Sequence, residues 1–371
     1  MPVKFLDLYS QYLSIKSEID AAIESVIRDS AFIGGSHVRT FESRFAEYHQ
    51  VKHCVGVGNG TDALEIAIEA CDLPAGSEII VPGNSFIATA EAVTRCGHCV
   101  IFADVDPGSY TLTADTVIAK LTDRTAAIVA VHLYGHPCDL APLMQLCEER
   151  GVVLIEDCAQ AHGAEYKGRR IGGIGHLAAF SFYPGKNLGA YGDAGAVTSQ
   201  DEALFTRVRM IANHGRIAKY DHEFEGRNSR MDGLQAAILN VKLAHLGAWT
   251  VRRIEVADYY LKHLARISDI ILPERKPWAY HVYHLFVIRT DRRDELKLFL
   301  AERQIETGIH YPIALPKLKA YSYLGDPDHS AFYNQADSTL LSLPIGEHIL
   351  EEHAQHVVDT IRDFFKIRSI A

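Results

Sequence analysis

The sequence predicts a two-domain α/β protein, in which a large, mostly parallel and doubly wound domain precedes a small α+β domain. Apolar strand-like runs alternate with helical stretches through the first half, and this alternation indicates parallel strands that are covered on both faces. Chains longer than about 250–300 residues usually divide their hydrophobic cores. This chain has 371 residues. We place the large domain at residues 1–245 and the small C-terminal domain at residues 246–371.

The strand candidates of the first half are continuous runs rich in β-branched residues, as expected for buried strands. They are Cys54–Val57, Glu78–Val81, Cys99–Phe102, Ala126–Val131 and Val152–Ile155. Helix candidates lie between them, at Thr61–Cys71, Ile87–Thr94 and Ala141–Arg150. The last of these ends at Gly151, and glycine is favoured immediately after a helix.

The second half begins with a long helical stretch from Met231 to Tyr260, which we expect to link the two domains. The elements expected beyond it are a strand at Val282–Ile288, helices at Arg293–Arg303 and Glu352–Phe365, and a proline-marked loop at Tyr311–Pro316. This mixture indicates a small α+β domain. Because no flexible linker separates the halves, we expect the domains to pack closely.

Composition excludes several classes of function. The net charge of −10 provides no bulk attraction to nucleic acid or to an anionic membrane. The segment Met1–Asp7 lacks the features of a signal peptide, and no apolar run reaches membrane-spanning length. We therefore expect a cytoplasmic protein. The seven cysteines are an odd number confined to the stretch between Cys54 and Cys158, which favours reduced thiols.

The first candidate site is a glycine-rich segment, Ser181–Gly195, which contains a single lysine, Lys186. Small residues allow the backbone to approach a ligand closely. A lysine becomes a Schiff-base nucleophile when burial or nearby positive charge lowers its pKa toward neutrality. An exposed lysine in a glycine-rich turn is the alternative, and this segment alone does not decide between the two.

The second candidate site is the pair Glu156 and Asp157, which directly follows the strand candidate Val152–Ile155. Ligands of open α/β sheets bind outside the carboxyl ends of the strands. Because successive strand side chains face opposite sides, the two carboxylates cannot both point into such a cleft. A carboxylate placed there can keep a pyridine nitrogen protonated, which makes the ring an electron sink. A solvated pair at a strand end is the alternative.

The third candidate site is the turn Gly58–Gly60, which opens the helix candidate at Thr61. The start of a helix presents unpaired amides and the positive end of the helix dipole, which together bind phosphate without basic side chains. Such a site suits a chain with an acidic net charge. The same residues also occur in ordinary turns that cap a helix.

Taken in order, the three segments resemble the DegT/StrS-type sugar aminotransferases, and the resemblance extends from Phe5–Leu8 to Leu341–Ile345. It implies the aspartate-aminotransferase architecture, known as fold type I. It also implies pyridoxal 5′-phosphate, alternating with pyridoxamine phosphate, as the cofactor. The segment around Lys186 is its most specific part.

By position, the resemblance assigns the catalytic roles to Lys186, as the Schiff-base lysine, and to Asp157, as the aspartate that binds the pyridinium. The other cofactor contacts that it implies are a glutamine near the 3′-oxygen, three phosphate ligands and a stacking ring, which fall on Gln160, Gly60, Thr61, Ser181 and Phe86. The family also contributes a phosphate-binding asparagine from a neighbouring subunit, and this residue matches Asn228. A homodimer with composite active sites is therefore implied.

The implied reaction consists of two half-reactions at one site. An amino-acid donor, expected to be L-glutamate, leaves its nitrogen on the cofactor, and a nucleotide-linked keto-sugar then takes it. His310 and Tyr311 lie in a segment that resembles the family loop facing the sugar nucleotide. The segment Phe182–Ala190 resembles the branch that aminates C3, so we expect a dTDP-3-keto-6-deoxyhexose as acceptor. A UDP-linked 3-keto sugar acid and a 4-keto sugar nucleotide are the alternatives.

Two functions of other kinds serve as further alternatives. A dehydratase of the same fold would carry histidine in place of Lys186, and a non-catalytic cofactor-binding regulator would lack Lys186 or Asp157. We expect no metal site, because the pair Cys96 and Cys99 has no second cysteine pair. His162 either approaches the substrate sugar or fills space in the core.

Overall fold

The structure is a computed structural model that describes residues 1–366. The strands in this part of the chain are β1 (His53–Val57), β2 (Glu78–Pro82), β3 (Cys99–Ala103), β4 (Thr125–Val131), β5 (Val153–Asp157), β6 (Glu165–Tyr166), β7 (Arg169–Arg170), β8 (Leu177–Ser181), β9 (Gly195–Ser199), β10 (Arg216–Ala218), β11 (Asp221–His222), β12 (Ala279–Tyr280), β13 (Phe286–Arg289) and β14 (Leu340–Leu343).

The α-helices are α1 (Leu8–Ser14), α2 (Lys16–Arg28), α3 (Gly35–His49), α4 (Gly60–Ala70), α5 (Ile87–Arg95), α6 (Ala114–Ile118), α7 (Leu140–Arg150), α8 (Glu202–Ile211), α9 (Gly233–Leu264), α10 (Arg293–Glu302), α11 (Phe332–Ala336) and α12 (Glu351–Lys366). Short 3₁₀ helices occur at Leu133–Gly135, Leu315–Lys317 and Lys319–Leu324.

The largest sheet has the strand order β1-β9-β8-β5-β4-β2-β3. From β8 to β3 the neighbouring strands pair in parallel, whereas β9 is antiparallel to both β1 and β8. It follows that β1 runs in the same direction as β8. All strands of this sheet except β9 therefore end at one edge, which confirms the predicted mostly parallel sheet.

Helices cover both faces of this sheet. On one face, Phe41 and Phe45 of α3 belong to the same apolar cluster as Ile80 of β2. On the other face, Leu64 of α4 belongs to the same apolar cluster as Ile79. Adjacent side chains of β2 thus point to opposite faces of the sheet, as the two-residue period of a strand requires. The sheet is doubly wound, as predicted.

Helix α9 connects the sheet to a third apolar cluster. Its first half contributes Leu239 and Leu246 to the cluster of α3, and its second half contributes Val256 and Tyr260 to a cluster built from β13, β14, α10 and α12. The long helix predicted here is confirmed. The predicted domain boundary lies inside this helix and stays a prediction. No helix among the described residues is both long enough and apolar enough to cross a membrane.

The helices and strands predicted from sequence agree with the structure to within a few residues, except for the strand predicted at Val282–Ile288. The observed strand, β13, begins only at Phe286. Tyr283 has a φ of 45°, which interrupts extended backbone. The amide of Val282 donates instead to the carbonyl of Gly135, and the amide of Leu285 donates to the carbonyl of Tyr134. These two hydrogen bonds attach the stretch to the loop that follows β4.

A close backbone contact at the start of β9 leads to a stability prediction. A Cβ atom on Gly195 would lie 2.3 Å from the carbonyl oxygen of Asn59. We expect Gly195→Ala to lower the free energy of unfolding by about 1–3 kcal/mol, because neither backbone segment can move aside. The control, Gly247→Ala on α9, meets no atom within 4 Å and should raise stability by about 0.5–1 kcal/mol. Denaturant titration measures both, and an unchanged Gly195→Ala variant would contradict the described packing.

Candidate active site

The structure brings the three predicted segments to one edge of the sheet. Strands β1, β5 and β8 share a direction, so their carboxyl ends lie at the same edge. The turn that opens α4 follows β1, Asp157 is the last residue of β5, and the loop that carries Lys186 follows β8. Segments that are distant in sequence therefore meet where ligands of such sheets bind.

Asp157 is a buried carboxylate with two hydrogen-bond donors. Its Oδ1 accepts the backbone N–H of Ala159 at 3.1 Å, and its Oδ2 accepts the hydroxyl of Thr89 at 2.8 Å. Burial raises the pKa of Asp157, and these two hydrogen bonds together with the charge of Lys186 oppose the rise. The pKa of Asp157 stays raised overall, so an anion at the edge of the cleft depends on these opposing groups.

Glu156 faces the other side of the sheet, as strand alternation requires. Its carboxylate accepts hydrogen bonds from His132 Nε2 at 3.0 Å and from the amides of Gly172 and Gly175 at 2.9 and 2.8 Å. Burial raises the pKa of Glu156, but the hydrogen bond and charge of His132 and these amides outweigh it, so the pKa is lowered overall. Only Asp157 of the pair reaches the cleft.

Three potential metal ligands, on His132, Glu156 and Cys158, lie within 4.8 Å of one another. His132 Nδ1 accepts the backbone N–H of Cys138, so its Nε2 carries the proton that is donated to Glu156. Burial raises the pKa of the Cys158 thiol, which keeps it protonated. Hydrogen bonds thus account for the imidazole and the carboxylate without an ion. The prediction that the protein binds no metal stays a prediction.

Lys186 lies in a tightly folded loop between β8 and β9. Its backbone N–H donates to the carbonyl of Tyr183 at 2.8 Å, and the buried ammonium of Lys242 donates to the carbonyl of Gly189 at 2.8 Å. Burial lowers the pKa of Lys186 to about 8, while Asp157 acts in the opposite direction. About a tenth of the amine is therefore unprotonated at pH 7, far more than for an ordinary lysine, and the unprotonated form is the nucleophile.

The start of α4 and the end of β8 form an anion-binding cradle. The side chain of Asn59 caps the helix by accepting the N–H of Asp62 at 2.8 Å. The amides of Gly60 and Thr61 have no partner within the helix. A Cβ on Gly60 would lie 2.4 Å from Cβ of Ser181, so the close approach of these two segments depends on glycine. Two amides, a hydroxyl and the helix dipole suit a phosphate group.

Phe86 and Gln160 both contact Tyr311, which lines the cavity beside Lys186. The Phe86 side chain is 53% exposed, and its ring centroid lies 5.7 Å from that of Tyr311. Gln160 accepts the N–H of Tyr134 at 2.6 Å and donates to the Tyr311 hydroxyl at 3.1 Å. An exposed aromatic face beside a fixed amide is suited to contact a flat ring.

A cavity of about 220 Å³ adjoins Lys186, and its polar lining includes Arg253, His284, His310 and Tyr311. Burial and the charge of Lys186 lower the pKa of His310 to about 4, so this imidazole is neutral at physiological pH. A larger groove of about 440 Å³ lies beside Arg289, but none of the predicted site residues lines it. Because Lys186, His310 and Tyr311 line the smaller cavity, we assign the substrate side of the cleft to it.

Sequence patterns alone did not identify Arg253 and His284. Arg253 is the second residue of an Arg-Arg pair in the long helix, and this pair was the only signal. Its guanidinium donates to the backbone carbonyls of Tyr283, His284 and Ile345. His284 Nδ1 lies 3.0 Å from Oδ1 of Asn187, the residue after Lys186. Both contacts depend on tertiary structure.

The structure supports the core-filling alternative for His162. Its side chain has 0% exposure, and its ring packs against Phe180 and Phe182 at centroid distances of 5.8 and 5.5 Å. Burial lowers its pKa well below the usual value, so the imidazole is neutral. A substrate contact would require these aromatic rings to move apart, so the geometry does not favour that prediction.

Asn228 is exposed on the surface of the protomer, next to the phosphate cradle. Its neighbour Ser229 is buried, accepts the N–H of Gly58 at 3.0 Å and donates to Asp62 at 2.6 Å. The preceding Arg227 forms ion pairs with two glutamates of α4. The backbone on both sides of Asn228 is therefore fixed to α4, while its side chain is accessible to another molecule.

Two curated relatives resemble the chain over nearly its whole length. The "Erythromycin biosynthesis sensory transduction protein EryC1" of Saccharopolyspora erythraea is 45% identical over 365 residues, which are 98% of this chain and 99% of the relative. The "dTDP-3-amino-3,4,6-trideoxy-alpha-D-glucose transaminase" of Streptomyces venezuelae is 43% identical over 365 residues, which are 98% of this chain and 96% of the relative.

A solved structure and a family pattern agree with these relatives. The crystal structure of S. venezuelae DesV in complex with a ketimine intermediate has a TM-score of 0.96 and 43% identity, and the match covers 98% of this chain and 99% of that chain. This similarity confirms the predicted fold. The sequence pattern of the DegT/DnrJ/EryC1/StrS aminotransferases matches residues 13–362. The chain therefore belongs to the DegT/DnrJ/EryC1/StrS aminotransferase family.

Proposed function

We propose that this chain transfers an amino group from an amino acid, expected to be L-glutamate, to a nucleotide-linked keto-sugar. The observation that carries the proposal is the Lys186 amine, which has a pKa of about 8 and interacts with the buried carboxylate of Asp157. The relative named as a dTDP-3-amino-3,4,6-trideoxy-α-D-glucose transaminase supports this substrate class.

The residues at the strand ends fit pyridoxal phosphate, the cofactor of this family. Bound there, it supplies an electron sink that stabilises negative charge on the adjacent substrate carbon. The contacts that we assign are the amides of Gly60 and Thr61 and the Ser181 hydroxyl for the phosphate, the Phe86 ring for stacking, Gln160 for the 3′-oxygen and Asp157 for the ring nitrogen. The close approach of Gly60 to Ser181 and the hydrogen bonds that hold Gln160 and Asp157 support these assignments.

Lys186 is the residue that moves the proton. Because its pKa of about 8 lies close to physiological pH, its Nζ can both accept and release a proton during one catalytic cycle. With the cofactor bound, Nζ would move a proton from the α-carbon of the donor to the adjacent cofactor carbon in the first half-reaction, and from that cofactor carbon to the aminated sugar carbon in the second. Asp157 remains an anion throughout and holds the proton on the ring nitrogen.

The acceptor that we propose is a dTDP-3-keto-6-deoxyhexose, aminated at C3. The loop that carries Lys186 determines which sugar carbon its amine can reach, and a small displacement of a reacting group is costly. A UDP-linked 3-keto sugar acid would bring a carboxylate that needs a cation. Arg253 lines the cavity, but its guanidinium already donates to three backbone carbonyls. This arrangement favours a sugar without a carboxylate.

A homodimer with composite active sites is part of the proposal. The exposed position of Asn228 beside the phosphate cradle supports it, because this side chain is accessible to a second subunit. His310 and Tyr311 are the substrate-side residues that we assign within the protomer, and both line the cavity beside Lys186. A cytoplasmic location remains a prediction from sequence.

The presence of both Lys186 and Asp157, whose charges interact, argues against both alternatives of other kinds. A dehydratase of this fold would carry histidine in place of Lys186. A non-catalytic regulator has no need for a lysine whose pKa is lowered. One relative is named as a sensory transduction protein, yet this chain keeps every side chain that the proposed chemistry requires.

Capture of pyridoxal phosphate by the cofactor-free protein should accelerate with rising pH, with a midpoint at about pH 8. Only the unprotonated Lys186 attacks the aldehyde, and an ordinary lysine would move the midpoint to 10.5. Stopped-flow absorbance measures this rate. Lys186→Ala should show no covalent capture at any pH, whereas Lys242→Met, which removes another buried lysine, should retain it. Covalent capture by Lys186→Ala would contradict the assignment.

Mixed dimers test the composite site. A Lys186→Ala chain and an Asn228→Ala chain should each have little activity, but co-expressed they should regain it. One site of each heterodimer then combines an intact lysine with an intact asparagine from the other chain. The control pairs Lys186→Ala with Asp157→Asn, which should restore nothing because both residues belong to the same protomer's site. Full activity of a monomer would rule out the proposed dimer.

A further inference from the structure

A chain of hydrogen bonds runs behind Asp157. The Ser85 hydroxyl lies 2.7 Å from the Thr89 hydroxyl, which lies 2.8 Å from Oδ2 of Asp157. The three side chains are only 3%, 1% and 5% exposed. Since buried polar groups are costly unless they are hydrogen-bonded, this chain of contacts holds all three side chains in place.

The direction of these hydrogen bonds follows from the chemistry of the groups. An ionised carboxylate can only accept, so the Thr89 hydroxyl donates its proton to Asp157. Thr89 then has no proton left for Ser85, so Ser85 donates to the Thr89 oxygen. Together with the backbone N–H of Ala159, the hydroxyl of Thr89 gives Asp157 one donor on each carboxylate oxygen.

We propose that Thr89 is a positioning residue that keeps Asp157 ionised and directed toward the cofactor's ring nitrogen, with Ser85 as its support. The inference rests on the proposed function, because it is the cofactor that supplies the ring nitrogen. A carboxylate offers about four acceptor positions, so two donors leave room for a third partner. Thr89 acts through Asp157 and does not itself touch the reacting atoms.

The first turn of α5 links the hydrogen bonds behind Asp157 to the face of the cofactor. Phe86, the ring proposed to stack on the cofactor, immediately precedes α5, and its carbonyl accepts the backbone N–H of Thr89 at 3.1 Å. One helical turn therefore fixes both the stacking ring and the hydroxyl that holds Asp157. A change in this turn would affect both contacts at once.

The ionisation of Asp157 reflects a balance of nearby groups. Burial favours the neutral acid, whereas Ala159, Thr89, Lys186 and His132 favour the anion. Glu156 is turned to the opposite face of the sheet. The other titratable groups that interact with Asp157 have their pKa raised by burial and are neutral near pH 7: Tyr311, Cys138 and Cys158. Loss of one donor therefore shifts Asp157 toward the acid form, which cannot retain the ring proton.

The variant Thr89→Val removes the hydroxyl and preserves the shape of the side chain. We expect it to lower kcat about tenfold or more, the effect of losing one hydrogen bond to a charged group, with little change in KM. The ¹⁵N NMR signal of ring-labelled cofactor should move toward that of unprotonated pyridine. Thr89→Ser, which keeps the hydroxyl, should behave like the wild type. The control Thr94→Val lies on the same helix, where its hydroxyl donates only to Glu91, and should change neither quantity.

A ring nitrogen that stays fully protonated in Thr89→Val would overturn the inference while leaving the proposed function intact. If the wild type fails to bind pyridoxal phosphate, the proposed function itself fails. Ser85→Ala keeps the Thr89 hydroxyl and provides a second test if Thr89→Val does not fold. It should shift the nitrogen signal in the same direction by a smaller amount, and an unchanged signal in that case would overturn the proposal.

Discussion

One buried charge, the carboxylate of Asp157, constrains the rest of the site. An ion inside a protein is costly unless hydrogen bonds and an opposite charge compensate it. Here the compensation comes from the Ala159 amide, the Thr89 hydroxyl and the charge of Lys186. These groups belong to three different segments, so the loop carrying the lysine, helix α5 and strand β5 must be placed together for the carboxylate to remain an anion.

Much of the fold was predictable because its signals are local. Continuous apolar runs identified β1 to β5, and helical spacing identified α4, α5, α7 and α9. The antiparallel direction of β9 was not predictable, because it is set by pairing with β8 and with β1, and β1 is distant in sequence. The stretch that begins at Val282 has the composition of a strand, yet the positive φ of Tyr283 and contacts with the loop after β4 prevent it from forming one.

The candidate site likewise contains some residues that could be predicted from the sequence and others that could not. Lys186, Asp157 and Gly60 lie in short motifs whose chemistry is visible in sequence, and the fold brings them to one edge. In the sequence, Thr89 looks like any other residue of a helix. Its hydrogen bond to Asp157 forms only when the fold brings α5 to the end of β5, so no local pattern identifies it. His162 lies two residues after Gln160, yet its ring packs against Phe180 and Phe182, because spacing along a turn does not determine which way a side chain faces.

The most direct test of the account is to locate the nitrogen that the enzyme transfers. The purified protein is incubated with L-glutamate and, in separate reactions, with dTDP-3-keto-6-deoxyglucose, its galacto epimer, the 4-keto isomer and a UDP-linked 3-keto-uronate, and NMR then identifies the aminated carbon. The account predicts an amino group at C3 of a dTDP-3-keto-6-deoxy sugar, formed together with 2-oxoglutarate. Amination at C4 alone would contradict the proposed acceptor, and the absence of transfer to every sugar would contradict the proposed function.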